Sequence, residues 1–123
     1  MLLGERSLQG EVNLRTAISQ YLASSRSVSC DPSRIIITSG AQQALTLAVM
    51  AILTPSDSVL LEDPGYTQMR KVLELLNIPF TPLRVDARQG IEVNSVTKNA
   101  AKAVYLTPSN QYPMGTSLNT EQR

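Results

Sequence analysis

The sequence predicts an α/β domain, a parallel sheet with helices on its faces. Three observations carry that expectation. Helical and strand patterns alternate along the chain, the connections between them are short, and Pro, Gly, Asp or Asn marks most of the junctions. A chain of 123 residues holds one domain at most, with enough length to bury a usable core.

Leu14, Ala17, Ile18, Tyr21 and Leu22 recur at helical spacing, so a helix is expected from about Val12 into the polar stretch Ser24–Ser27. Asp31-Pro32-Ser33 reads as a turn, and Arg34–Thr38, rich in β-branched residues, as a short strand. Ser39-Gly40 breaks it. Ala41–Leu53 is apolar nearly all round and is expected to be a helix buried on most sides. After Thr54–Asp57, a second strand is expected at Ser58–Leu61. A helix then covers Tyr66–Leu76, with Tyr66, Met69, Leu73 and Leu76 on one face and Asn77 as a left-handed cap. A third strand is expected at Phe80–Val85, a turn at Asp86–Gly90, a short helix or loop near Glu92–Ala101, and a fourth strand at Ala103–Leu106. An irregular loop, Thr107–Gly115, follows it.

Composition narrows the chemistry. The chain has no histidine, which excludes a Ser-His-Asp triad, a Cys-His pair and any His-ligated metal within it. A single cysteine, Cys30, allows neither an internal disulfide nor a cysteine-cluster zinc site. With 11 basic against 10 acidic residues the net charge is +1, and the basic residues are scattered, which argues against a nucleic-acid surface on this segment. The longest apolar run, Ala44–Leu53, is too short to span a bilayer, and Met1–Arg6 lacks the features of a signal peptide. The expectation is a soluble cytoplasmic protein with no membrane partner. Ser95–Lys98 matches S-x-x-K, but its partner motifs are absent and it reads as chance.

In parallel α/β sheets ligands bind beyond the carboxyl ends of the strands. Three loops are expected there. In the first, Gly40 and Ala41 leave room for an anion at a helix N-terminus and Gln42 offers an amide; the alternative is an ordinary turn before a helix. In the second, Asp63 reads as a helix cap with Pro64 at the first helical position. Tyr66 is there either a stacking surface for a planar ligand or an edge-of-core tyrosine. The third, with Asn110, Gln111 and Tyr112 between prolines, is either a site-lining loop or a shaped turn.

Together these blocks carry a family resemblance. Thr38-Ser39-Gly40-Ala41-Gln42-Gln43-Ala44-Leu45, Glu62-Asp63-Pro64-Gly65-Tyr66 and Thr107-Pro108-Ser109-Asn110-Gln111-Tyr112-Pro113-Met114-Gly115 resemble consecutive blocks of fold-type I pyridoxal 5′-phosphate (PLP)-dependent aminotransferases. More narrowly, they resemble the aminotransferase-like domain of MocR-type regulators of the GntR superfamily. The resemblance implies a partial parallel or mixed sheet with flanking helices, part of the large PLP-binding domain. It assigns Gly40, Ala41 and Gln42 to the cofactor phosphate and Tyr66 to its pyridine ring. Where aminotransferases read N-P-T-G this chain has Tyr112-Pro113-Met114-Gly115, so Tyr112 replaces the Asn that contacts the ring hydroxyl. An aromatic there favours the regulator.

In the family the Schiff-base lysine and the acidic partner of the pyridine nitrogen lie downstream of this last block, and in the regulators a winged helix-turn-helix lies upstream. Lys71, Lys98 and Lys102 match no catalytic position. Residues 1–123 are therefore expected to be a partial aminotransferase-like PLP-binding domain, without a catalytic residue or a metal of its own, and weak in PLP binding by itself. The resemblance implies a parent protein that is homodimeric, binds DNA through the separate head and senses a small amino compound. A plain aminotransferase and a non-catalytic interaction module are the alternatives.

Overall fold

The computed structural model describes residues 7–88 and 90–122. The expectation for Met1–Arg6 lies outside the described residues, as does Gln89 within the predicted Asp86–Gly90 turn. The chain forms two compact units, one ending at Ala44 and one beginning at Leu45.

The first unit is built around helix α1 (Val12–Arg26), whose N-cap Glu11 accepts the Asn13 N–H and whose C-cap Ser27 is left-handed at φ 55°. Its buried residue is Arg15, not a member of the predicted apolar stripe: Leu14 and Tyr21 are exposed, while Ile18 and Leu22 are half-buried. The Arg15 guanidinium donates to the Gly10 carbonyl (3.3 Å), to Gln9 Oε1 (3.3 Å) and to the Pro32 carbonyl (2.8 Å). The predicted strand at Arg34–Thr38 does not form. Pro32–Arg34 is a 3-10 turn capped by Asp31, and residues 35–38 follow it without a sheet partner among the described residues. β-branched residues favour extended backbone, but a strand requires a neighbour to pair with. One ordered bond, Ile37 N–H to the Gln9 carbonyl at 2.8 Å, stands in for a ladder. Gly10 makes that approach possible, since a Cβ there would lie 2.6 Å from Ile37 Cγ1.

Helix α2 (Ala41–Ile52) begins in the first unit and continues into the second. Its apolar surface is not buried on most sides as predicted. Val49 is buried and Leu45 packs on the core, but Leu47, Met50 and Ile52 are exposed. The second unit is a four-stranded sheet in the order β3-β2-β1-β4, formed by β1 (Val59–Asp63), β2 (Phe80–Asp86), β3 (Gly90–Ile91) and β4 (Ala103–Tyr105). β1 runs parallel to β2 and to β4, with Val59 opposite both Phe80 and Ala103, whereas β3 folds back antiparallel on β2. The mixed sheet is thus as expected.

Successive side chains of a strand point to opposite faces. Val59 and Leu61 therefore join one apolar cluster with Val49, Leu53, Met69, Val72, Leu73 and Ile78, while Leu60 joins another with Leu83, Val85 and Ile91. A central parallel strand buried on both faces reads as a continuous apolar run, which is what Val59–Leu61 is. Helix α3 (Thr67–Leu75) supplies Met69, Val72 and Leu73. It ends in a Schellman motif: Ile78 N–H reaches the Leu73 carbonyl at 2.9 Å, Asn77 N–H reaches that of Glu74 at 3.2 Å, and Asn77 takes φ 54°. Asp57 closes the α2–β1 turn by accepting from Thr54 N–H (2.8 Å) and Lys102 Nζ (3.1 Å), contacts that hold its carboxyl below the usual range. Helix α4 (Val93–Thr97) is a single short turn of helix, in which Ser95 Oγ donates to Glu92 Oε2 at 2.9 Å. That bond gives the S-x-x-K serine a local structural role.

Candidate functional site

The three loops singled out by sequence do not all belong to one unit. The Ser39–Gln42 loop does not follow a strand, and it belongs to the first unit. Gly40 takes φ +146°, and the position of a Cβ on it is open, with nothing within 4 Å. The first bond of the helical ladder runs from Ala44 N–H to the Gly40 carbonyl at 3.1 Å, so the amides ahead of it are outside the ladder. Ala41 and Gln42 lie in this exposed first turn. Gln43, which the sequence reading passed over, reaches back with Oε1 to Ser39 N–H (2.7 Å) and Ser39 Oγ (3.1 Å). No S/T-x-x-E/Q capping box marks this bond, because the residue three before Gln43 is Gly40 and the N–H accepted belongs to Ser39, four residues back.

The second and third loops leave the carboxyl ends of the neighbouring strands β1 and β4, and the structure ties them together. Glu62 Oε1 accepts the Thr107 N–H at 3.0 Å, and Gln111 Nε2 donates to the Pro64 carbonyl at 2.7 Å. Both side chains are 2% exposed. Glu62 Oε2 is buried with no hydrogen-bond partner among the described residues. Neither residue was singled out for such a role, because nothing in strand or loop patterning marks a buried tie.

Asp63 does not cap α3. It ends β1 and faces Arg70 at 3.6 Å, and the N-cap is Tyr66, without a side-chain capping bond. The turn after the strand is longer than the cap reading allowed, so the helix starts at Thr67. Tyr66 is 36% exposed and Tyr112 66% exposed, so neither ring is a core residue. Burial first, then the neighbouring Tyr66 and Glu62, pushes the Tyr105 hydroxyl above its ordinary value of 10.0. A groove of about 500 Å³ opens beside this loop pair, lined by Asp63, Pro64, Pro82, Arg84 and Val85. No cluster of three metal-ligating side chains exists among the described residues, and none of their helices is long and apolar enough to cross a membrane. Cys30 is half-buried; its thiol makes a weak contact to the Asp31 carbonyl at 3.6 Å, and its own carbonyl accepts from Ser19 Oγ.

A parallel strand–helix–strand core with loops paired at its carboxyl edge is common to many families. The model of the aminotransferase class I and II family matches residues 6–122. The chain belongs to that family. Among solved structures, kynurenine aminotransferase from Pyrococcus horikoshii superposes with a TM-score of 0.84 at 27% identity, over 98% of this chain and 31% of that one. The fold is that of fold-type I aminotransferases. The curated relatives point further. The uncharacterized HTH-type transcriptional regulator YdeL of Bacillus subtilis is 36% identical over 115 residues, 93% of this chain and 24% of the relative. The probable rhizopine catabolism regulatory protein MocR of Rhizobium meliloti is 31% identical over 122 residues, 99% of this chain and 24% of the relative. This aminotransferase-family chain therefore spans about a quarter of the length of the regulators it matches.

Proposed function

We propose that the chain is part of the PLP-binding, effector-sensing domain of a bacterial MocR-type transcriptional regulator. Gly40, Ala41 and Gln42 hold the cofactor phosphate, and Tyr66 covers the pyridine ring. The observation that carries this reading is Gly40. At φ +146° only glycine is at ease, and the open space where a Cβ would stand lets an anion approach the backbone at the start of a 12-residue helix. The residues present therefore fit the group.

The helix N-terminus favours the negative charge of a phosphate, and the Gln42 amide adds a donor in the first turn. The exposed ring of Tyr66 provides an apolar face for a flat heteroaromatic. PLP, when bound, supplies an aldehyde that reacts with amines, which suits the sensing of a small amino compound. In the regulator, DNA is contacted by a separate head, and the whole protein is a cytoplasmic homodimer.

The test is PLP titration of the full-length protein, followed by absorbance. Gln42→Ala and Tyr66→Ala are each expected to weaken binding about tenfold, the worth of one charge-assisted hydrogen bond or one aromatic contact. PLP-dependent operator binding should weaken with them. Unchanged affinity in both variants overturns the site.

The family membership and the kynurenine aminotransferase likeness favour a second reading, an aminotransferase acting on an amino acid and a 2-oxo acid. Turnover of amino donors without operator binding would select it. A full-length protein that purifies colourless and ignores PLP would leave a non-catalytic module.

A further inference from the structure

We infer that Gln111 is the positioning residue for Tyr66: its buried amide locks the turn carrying that ring to the loop after β4. The inference rests on the proposed placement of Tyr66 against the cofactor ring.

Of two neighbouring side chains in the third loop, one turns inward. Tyr112 is 66% exposed, whereas its neighbour Gln111 is 2% exposed. A buried primary amide must have its polar atoms satisfied. Gln111 does this with two bonds of different kinds. Oε1 accepts the Met114 N–H at 3.2 Å, within its own loop, while Nε2 leaves that loop and donates to the Pro64 carbonyl at 2.7 Å, 47 residues away in sequence.

The loop side of this link is fixed. The Gln111 N–H donates to the Thr116 carbonyl at 2.9 Å, and its own carbonyl accepts the Gly115 N–H. Gly115 is at φ +69°, a conformation that lets residues 111–116 close on themselves. The amide is thus held from its backbone outward.

The receiving side is just as constrained. A Cβ on Gly65 would stand 2.4 Å from the Glu62 carbonyl oxygen, so residues 62–65 are folded tightly on one another. Pro64 has its φ fixed by its ring. From there the chain passes through Gly65 to Tyr66, whose carbonyl accepts the Met69 N–H at 3.1 Å as helix α3 begins. One residue, Gly65, separates the gripped carbonyl from the ring-bearing Cα, and its close packing on the Glu62 carbonyl leaves little room to absorb a shift. The Glu62–Thr107 bond at 3.0 Å joins the same two loops nearer the strands. With Gln111 it makes a two-point strap, and Gln111 is the point next to Tyr66. Removal of its donor leaves a hinge at Glu62–Thr107 about which the Tyr66 turn moves.

The experiment uses the full-length protein with 3-fluorotyrosine placed at position 66, read by fluorine NMR without PLP, and PLP titrations run in parallel. Gln111→Glu keeps the oxygen facing Met114 N–H and removes the donor to Pro64. Gln111→Met keeps the length and removes both bonds, and serves if the buried acid does not fold. The expected result is a shifted and broadened resonance at position 66, with an unchanged one from a probe at Tyr21. PLP affinity should fall about tenfold in the wild-type background and not at all in the Tyr66→Ala background, the non-additivity expected of coupled residues. A position-66 resonance that stays put in the Gln111 variant that folds overturns the inference, whatever PLP does. Equal losses of affinity with and without Tyr66 also overturn it, since Gln111 would then act on binding independently of that ring. If Tyr66→Ala alone leaves PLP affinity intact, the ring-stacking reading fails, and the fluorine resonance decides the positioning role by itself.

Discussion

Among the described residues, the unit beginning at Leu45 buries twelve apolar side chains, whereas the unit ending at Ala44 buries none and has Arg15 as its enclosed residue. In the former, Leu73, Leu61, Leu83, Val59 and Val72 are each essentially inaccessible and come from α3 and two adjacent strands. In the latter, one guanidinium gathers three oxygens from residues 9, 10 and 32. The difference teaches how each region should fail. An apolar core loses packing over many contacts when a side chain is cut back. A charged hub fails by losing the bonds that tie separate stretches of chain together, here residues 9 and 10 to residue 32, although the Pro32 carbonyl keeps the Ile35 N–H.

The largest expected effect follows from the first mechanism. Leu73→Ala should cost about 2–5 kcal/mol in urea unfolding followed by far-ultraviolet circular dichroism, the range for a large-to-small change at a fully buried site. A cost well under 1 kcal/mol, below that range, would show that the sheet does not hold the second unit. Next comes Arg15→Met, which keeps an apolar stem and removes the donors to the Gly10 and Pro32 carbonyls. It should cost about 1–3 kcal/mol and speed amide exchange in α1 and residues 31–34, while exchange in β1 stays slow. Equal acceleration in both regions would break the contrast between them.

The smallest effect is a titration. The Tyr105 hydroxyl has its folded value raised above 10.0 by burial, with Tyr66 and Glu62 adding to it. The folded chain then holds this proton more tightly than the unfolded chain does. The contribution is complete below the unfolded value and is lost as pH rises through the folded one. Stability should therefore decline on the alkaline side of 10.0, and Tyr105→Phe should flatten that decline. An identical alkaline profile in the phenylalanine variant would remove Tyr105 from the account.

Much of the architecture was legible. α1, α3, β1, β2 and β4 lie within two residues of their predicted bounds, because amphipathic spacing, a β-branched or apolar run, and a left-handed Asn77 are local signals. The misreadings have one cause. Arg34–Thr38 has the composition of a strand but no partner among the described residues, and α2 has the composition of an enclosed helix with Leu47, Met50 and Ile52 exposed. Pairing and cover are supplied by other parts of a chain, so composition alone does not fix them. At the candidate site, Gly40, Ala41, Gln42 and Tyr66 were picked out by their residue types and loop positions. Gln43 was missed because its bond to Ser39 spans four residues and matches no capping box, and Asp63 was assigned a cap it does not make.

The sequence by itself determined the alternation of helix and strand, the glycine at a helix start and the order of loops that marks the aminotransferase family, since each depends on residues close together in the chain. Only the tertiary structure decided that Glu62 and Gln111 are interior, and that the loops after β1 and β4 are bonded to one another. Those facts depend on residues 45 and 47 positions apart in the chain being brought together through a parallel crossover. A buried polar side chain is stable there only because the far loop brings its partner to it.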